Sequence, residues 1–197
     1  VFELGNKDAI ETAFAKADRI VTDKMVINRI TANSMEPRGC LAEYDPAQDR
    51  YTIRCTVQSV HMIKSALAGQ IFKIPEHHVR VVCDNMGGGF GMKGGCSPEY
   101  ALALWGAEVT GRPVRWMSER SEGLLTDEQA RGSVVEAELA LDKNGKFLGL
   151  RTRFLSTIGP YFTTDRPCIP LTVGMGCLVN TYTFPAIYSQ VVAVLAN

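Results

Sequence analysis

The sequence predicts a mixed α/β fold, of the α+β kind, in which a mixed, largely hairpin-connected sheet packs with helices. Three observations carry this. Apolar residues recur at helical spacing in three segments, other segments alternate and are separated by Asp, Gly and Pro turns, and no internal repeat, low-complexity tract or linker divides the chain.

The first helical stripe is "DAIETAFAKADRIV", with Ala9, Ile10, Ala13, Phe14, Ala17 and Ile20 on one face and Asp8 and Glu11 at the spacing of a capping box. "KMVINRI" is β-branched enough for a strand, and "SMEPRG" breaks it at Pro37 and Gly39. "CLAEYDPAQDRYTIRCTVQ" reads as a hairpin, because Asp45-Pro46 and Asp49 supply turn chemistry between alternating runs. A second helix follows through Val60, Ile63, Ala66 and Leu67, ended by Gly69 and Pro75. "HVRVVCD" is a short buried strand. After a glycine stretch comes the best-signalled helix, with Ser97 as N-cap, Pro98 in the first turn and Gly111 as the stop. "RPVRWMSE" reads as a strand, "SVVEAELALDKNGKFLGLRTRFLSTIG" as a long hairpin turning at Asp142 to Gly145, and "TFPAIYSQVVAVLAN" as a last strand. Trp105 and Met117 are expected in the core.

Lys plus Arg number 21 and Asp plus Glu 21, so no net field recruits nucleic acid or an anionic membrane, and no basic block stands out. The apolar runs are too short for a membrane-spanning helix and nothing resembles a signal peptide. The six cysteines, Cys40, Cys55, Cys83, Cys96, Cys168 and Cys177, form no C-x-x-C, and His77 and His78 complete no zinc spacing. They are expected to be thiols in a reducing cytoplasm. Residues 1–197 are expected to form a single domain, with 1–30 an incoming helix and strand and 31–197 its main body. Both ends read as cut from something larger.

Residues 87–95, "GGGFGMKGG", place six glycines between a strand and a helix. Glycine reaches positive φ at little cost and lets several N–H groups converge on one anionic or electron-rich atom, and the helix N-terminus beyond adds to that attraction. A phosphate-binding P-loop is excluded, since Lys93 stands between Met92 and Gly94. Gly89, Gly91 and Gly94 satisfy the dinucleotide fingerprint G-x-G-x-x-G, with Glu119 beyond the next strand, and a plain strand-to-helix turn is the remaining alternative. Gln58 at a strand end could cap the second helix, and His61 in that helix's first turn is a cap or core contact sooner than a ligand. Glu36 is a tempting base, but Pro37 and Arg38 beside it suggest an ion pair fixing a turn. Met86 and Met92 could line a pocket or fill the core.

"SMEPRG" (34–39), "TVQSVH" (56–61), "GGGFGMKGG" (87–95), "PEYALALWGAEVTGRPVRW" (98–116) and "SERSE" (118–122) occur together in one family. In this order the chain resembles, along nearly all its length, the molybdopterin-binding large subunit of the molybdenum hydroxylases: xanthine dehydrogenase, aldehyde oxidase and aerobic carbon monoxide dehydrogenase. It is most similar to the bacterial carbon monoxide dehydrogenase large-subunit-like proteins. The resemblance implies the first cofactor-contacting domain of that subunit, with main-chain contacts to the oxo-metal group and pterin from Gly88, Gly89, Phe90 and Gly91, and a hydrogen bond to a molybdenum oxygen from Gln58. An amide suits that place, because it donates without adding charge.

No direct metal ligand and no catalytic residue is implied within these residues, since the family's glutamate base lies later in the subunit. The cofactor implied is molybdenum–molybdopterin, in the cytosine dinucleotide form, with FAD and 2Fe–2S clusters on partner subunits. The partners implied are the remainder of the large subunit, those FAD-binding and iron–sulfur subunits and a small-molecule substrate. Purine-oxidising members carry an acid directly after the lysine of the loop. Here that position is Gly94, so a purine is not the expected substrate. Two other readings remain: a non-catalytic assembly module that binds no metal alone, prone to self-association through exposed apolar surface, and an NAD-binding dehydrogenase.

Overall fold

The computed structural model describes residues 1–160 and 173–196. Cys168 lies outside the described residues. Contacts gather the chain into two compact units, 1–30 with 130–197, and 31–129. The mixed α/β class expected from the sequence is what the structure shows.

The first unit is a five-stranded sheet in the order β1-β9-β8-β7-β2. Its strands are β1 (Phe2–Gly5), β2 (Arg19–Thr31), β7 (Gln129–Leu141), β8 (Phe147–Thr157) and β9 (Ala186–Val194). β7 and β8 form the expected hairpin, whose turn is held by Asp142 Oδ1 accepting the Asn144 and Lys146 N–H groups at 2.8 and 2.9 Å. β8 and β9 run parallel, and β1 pairs antiparallel with β9. Helix α1 (Lys7–Ala15) buries Ile10 and Phe14 with Ala140 and Ala186. It is shorter than its apolar stripe suggests. Asn6, not an Asp8–Glu11 capping box, caps it by accepting the Ala9 N–H, and Glu11 pairs with Arg151 instead. Ile20, counted on the helical face, belongs to β2, where Ile20, Val21, Val26, Ile27 and Ile30 favour extended backbone.

The second unit is a four-stranded sheet in the order β5-β4-β3-β6. Hairpin β3 (Gly39–Asp45) and β4 (Arg50–Cys55) sits at its centre, β5 (Val79–Val82) runs parallel to β4, and β6 (Val114–Met117) pairs antiparallel with β3. Alternation puts Cys40, Ala42, Tyr51, Ile53 and Cys55 on one face. There they meet Tyr100, Ala103, Leu104 and Ala107 of α3 (Pro98–Thr110), and Ile63 and Leu67 of the segment between β4 and β5. That segment is α2 (Val60–Ser65) continued as a π-helical turn, Ala66–Phe72. Gly69 does not end it; Lys73 in the left-handed region does. α4 (Arg120–Thr126), not expected from the apolar pattern, opens with a Glu119–Glu122 capping box.

The apolar pattern overestimates the core at two places. Trp105 is 56% and Met117 50% exposed. Trp105 shares an outward stripe of α3 with Leu102 and Val109, while Met117 lies on the sheet face away from the helices. Burial pushes the Cys40 and Cys96 thiols up to about 11 and Cys55 to about 12, so these are inert packing groups. Cys40, Cys55, Cys83, Cys96 and Cys177 are all unpaired thiols. Among the described residues no helix is long and apolar enough to cross a membrane.

The two faces of α3 make an internal control. Leu104→Ala, at a fully buried site, should cost ~2–5 kcal/mol in urea unfolding followed by circular dichroism. Leu102→Ala, on the exposed stripe, should stay within ~0.5 kcal/mol of wild type.

Candidate functional site

Sheet register brings three distant segments to one edge. Cys40 of β3 faces Cys55 of β4, and Arg54 faces Val82 of β5. The turn before β3, the segment after β4 and the loop after β5 therefore leave the sheet side by side. They carry Glu36, Gln58 and residues 87–95 respectively.

Backbone angles define the loop. Gly88, Phe90 and Gly91 have φ of 100°, 48° and 92°. Holding a bulky L-residue such as Phe90 in the left-handed region costs ~1–3 kcal/mol, and its side chain is nevertheless 78% exposed. Gly88 needs both its φ and its missing side chain, because a Cβ there would stand 3.0 Å from the Phe90 ring. A Cβ on Gly89 would stand 2.7 Å from Gln58 Oε1. Gln58 thus lies flat against the loop and accepts the Gly91 N–H at 2.9 Å, while its own main-chain N–H donates to the Lys93 carbonyl at 3.0 Å. It caps nothing: Ser59 caps α2 by accepting the Met62 N–H. Because an N–H can meet only the oxygen of an amide, the Gly91 bond leaves the Gln58 NH₂ as the donor end.

The loop's own donors divide into two groups. Gly87 N–H goes to Glu36, Gly91 to Gln58, Met92 to the Gly89 carbonyl and Gly94 to the Gly91 carbonyl. The consecutive N–H groups of Gly88, Gly89 and Phe90 have no hydrogen-bond partner among the described residues. Three adjacent donors in backbone that alternates across positive φ, next to an amide NH₂ and a projecting aromatic ring, suit an oxygen-rich or anionic group. Ser34 adds, near Gly88, a buried hydroxyl that has no partner among the described residues.

Glu36 is not paired with Arg38. Its carboxylate takes the Lys93 ammonium at 2.7 Å and the Gly87 N–H at 2.8 Å. Burial acts to raise its pKa, but these partners prevail and hold it below the usual carboxylate value. Arg38 is buried in a separate network, with Asp127 at 2.6 Å, Glu99 and Thr126 at 3.1 Å, and the Trp116 ring beneath its guanidinium. Ser97 bonds Arg38 and Glu99 instead of capping α3 with its side chain. Met92 fills the core and Met86 is 39% exposed. His61 is exposed, neither core nor cap. The dinucleotide arrangement is not formed: β5 and β6, before and after the loop and helix, stand at opposite sheet edges with antiparallel β3 between, and Glu119 is used as a cap.

The family profile of the molybdopterin cofactor-binding domain matches residues 1–197. The chain belongs to that family. It is 35% identical over 188 residues to the 6-hydroxypseudooxynicotine dehydrogenase complex subunit gamma of Paenarthrobacter nicotinovorans, covering 95% of this chain and 23% of that one. It is 31% identical over 196 residues to the carbon monoxide dehydrogenase large chain of Afipia carboxidovorans, covering 100% and 24%. The crystal structure of Cu,Mo-CO dehydrogenase superposes with a TM-score of 0.90 at 30% identity, over 99% of this chain and 24% of that one. Quinoline 2-oxidoreductase from Pseudomonas putida 86 gives 0.85 at 30%, over 94% and 24%. The chain spans about a quarter of the length of the relatives it matches. The molybdopterin-binding domain of molybdenum hydroxylase large subunits is thus the assignment for this chain, and the cradle of N–H donors fits a group rich in oxygen acceptors.

Two measurements check this geometry. Gly89→Ala should displace the Gln58 amide and break its bond to Gly91, moving the Gly91 amide resonance and costing ~1 kcal/mol of stability. Glu36 and Glu99 both titrate below the ordinary 4.5. A carboxyl depressed in the folded state contributes stability that is complete above its unfolded pKa and is lost as pH falls through the folded one. The urea midpoint should therefore hold from neutrality down to the ordinary carboxylate range and fall below 4.5.

Proposed function

We propose that the Gly88–Phe90 N–H groups and the Gln58 amide face the oxo-metal group and pterin of molybdenum–molybdopterin, within a molybdenum-dependent oxidoreductase of the hydroxylase or carbon monoxide dehydrogenase-like kind. The observation that carries the reading is the Gly91 N–H bond to Gln58 Oε1, which leaves the amide's NH₂ as a donor close to the unpartnered Gly88–Phe90 N–H groups. Bound there, the cofactor would supply the two-electron oxidation of a small-molecule substrate.

This chain's own share is electrostatic and positional. Fixed N–H dipoles and a neutral amide stabilise negative charge on oxygen without reorganising, and the exposed Phe90 ring shapes one wall of the site and keeps water from it. Glu36 already accepts from Lys93 and Gly87 through one oxygen, and these partners lower its pKa and weaken it as a base, which supports a proton-abstracting base elsewhere. Neither Gln58 nor the glycines can take up a proton near neutrality. In this reading the base, the cytosine dinucleotide portion's contacts and the electron path to 2Fe–2S clusters and FAD belong to the rest of the large subunit and to partner subunits. The name of the Paenarthrobacter relative, a complex subunit, supports such an assembly.

The test is molybdenum and pterin content after expression in a molybdate-fed bacterial host, with the remaining segments of a carbon monoxide dehydrogenase large chain supplied together. Metal and pterin fluorescence should co-purify with the wild-type assembly. Gly88→Val, which fills the cradle, should abolish both, and Gln58→Ala should weaken retention about tenfold. Equal content in wild type and Gly88→Val would remove the loop from the site, and absence of cofactor throughout would remove the reading.

A further inference from the structure

Lys93 is the loop residue to which the cofactor reading gives no task. A lysine after a run of glycines invites an anion-binding role, yet its side chain has no exposed surface and its ammonium is 2.7 Å from Glu36 Oε2. That same oxygen accepts the Gly87 N–H at 2.8 Å. Gly87 opens the loop and Lys93 stands near its far end, so one carboxylate atom closes residues 87–93 into a ring. The Glu36 N–H returns to the Gly87 carbonyl at 3.2 Å and makes the closure two-sided. A Cβ on Gly87 would fall 2.6 Å from Glu36 Cβ, which shows how closely the turn lies on the loop.

Gln58 spans this ring, bonded to Lys93 through its main chain and to Gly91 through its side chain. Its amide therefore holds its place only while Lys93 and Gly91 hold theirs. A glycine-rich loop left to neutral hydrogen bonds alone would sample many conformations, and Phe90 would leave the left-handed region. Charge-assisted bonds are about twice as strong as neutral ones, and these two meet on one oxygen.

We infer that Lys93 and Glu36 are positioning residues which, by closing the loop on one carboxylate oxygen, set the Gln58 amide and the Gly88–Phe90 N–H groups in place before the cofactor arrives. The inference rests on the cofactor reading above. Neither residue touches substrate or takes part in proton transfer. Their effect reaches the site through Gly87, Gln58 and Gly91.

Amide exchange and chemical shifts of the 197-residue chain, read by NMR without molybdopterin, test the clasp. In Lys93→Met the amides of Gln58, Gly87, Gly91 and Met92 should exchange about tenfold faster or more, while those of β3, β4 and α3 keep their rates. The Gly87 amide shift should follow the Glu36 carboxyl, with a midpoint below 4.5 in wild type that moves up once the ammonium is gone. Glu36→Gln keeps the side chain's shape at a partly exposed place and should loosen the same four amides, which covers the case of a Lys93→Met chain that does not fold. Unchanged exchange in the loop, or equal loosening of loop and core, would overturn the positioning role. So would unchanged molybdopterin content in a Lys93→Met assembly whose loop is loosened. A wild-type assembly that takes no cofactor sinks the reading beneath it and the positioning role with it, even where the exchange pattern holds.

Discussion

Taking the Lys93 ammonium out of water strips its hydration and leaves a charge that its surroundings must balance. Glu36 balances it, so the turn at 34–39 has to lie against the loop at 87–95. That juxtaposition is available only because β3 starts where β4 and β5 end, which is a property of strand direction and register. The ion pair is weak evidence for stability, since removing two charges from water costs about as much as their attraction returns. What it does impose is geometry. With Gly87 and Lys93 tied to one oxygen, the glycines between them have far fewer conformations left, and Phe90 can be held where an unconstrained chain would not put it.

A second buried cation repeats the solution a few residues away. Arg38 also leaves the turn before β3, and it gathers Glu99 from the start of α3 and Thr126 and Asp127 from the end of α4. The guanidinium suits this place because its planar donors reach several acceptors at once and its face rests on Trp116. Two neighbouring cations thus take different partners. Lys93 organises the loop, and Arg38 joins the helices that follow it to the same sheet edge. A chain with 21 positive and 21 negative side chains spends some of them here, as internal counter-charges, while showing no net charge at all.

What could be read beforehand divides by range. α3 was legible because its signals are local: Pro98 in the first turn, Gly111 at φ 63° after the last. The β3–β4 and β7–β8 hairpins were legible from turn chemistry between alternating runs, and β1 was not, since four residues carry no period. The apolar stripe of α1 runs past the helix because Ala17 and Ile20 continue it by coincidence, and periodicity cannot tell a helix's last turn from a following strand. The family motif groups Gln58 with the glycines, and the structure has them in contact. The motif did not reveal who holds them. Glu36 and Lys93 stand 57 residues apart, Gln58 and Gly91 33 apart, and nothing local marks a lysine between Met92 and Gly94 as buried. Arg38, next to Glu36 in sequence, was the natural but mistaken partner, since adjacency along the chain says little about side chains at a turn.

The loop's glycines are not interchangeable sources of N–H groups, because the hydrogen bonds separate them by task. Gly87 and Gly91 give their N–H groups to side chains of the protein and so serve as anchors. Gly88 and Gly89 lack a Cβ for reasons of space, one against the Phe90 ring and the other against Gln58. Their N–H groups, with that of Phe90, have no hydrogen-bond partner among the described residues. An anchor replaced by a larger residue would shift the whole ring, whereas a Cβ at Gly88 or Gly89 would intrude on one neighbour and leave the ring closed. Six glycines in nine residues are therefore not one flexible hinge. They are an arrangement in which two positions bind the protein, two make room for an aromatic ring and an amide, and the donors between them have no partner among the described residues.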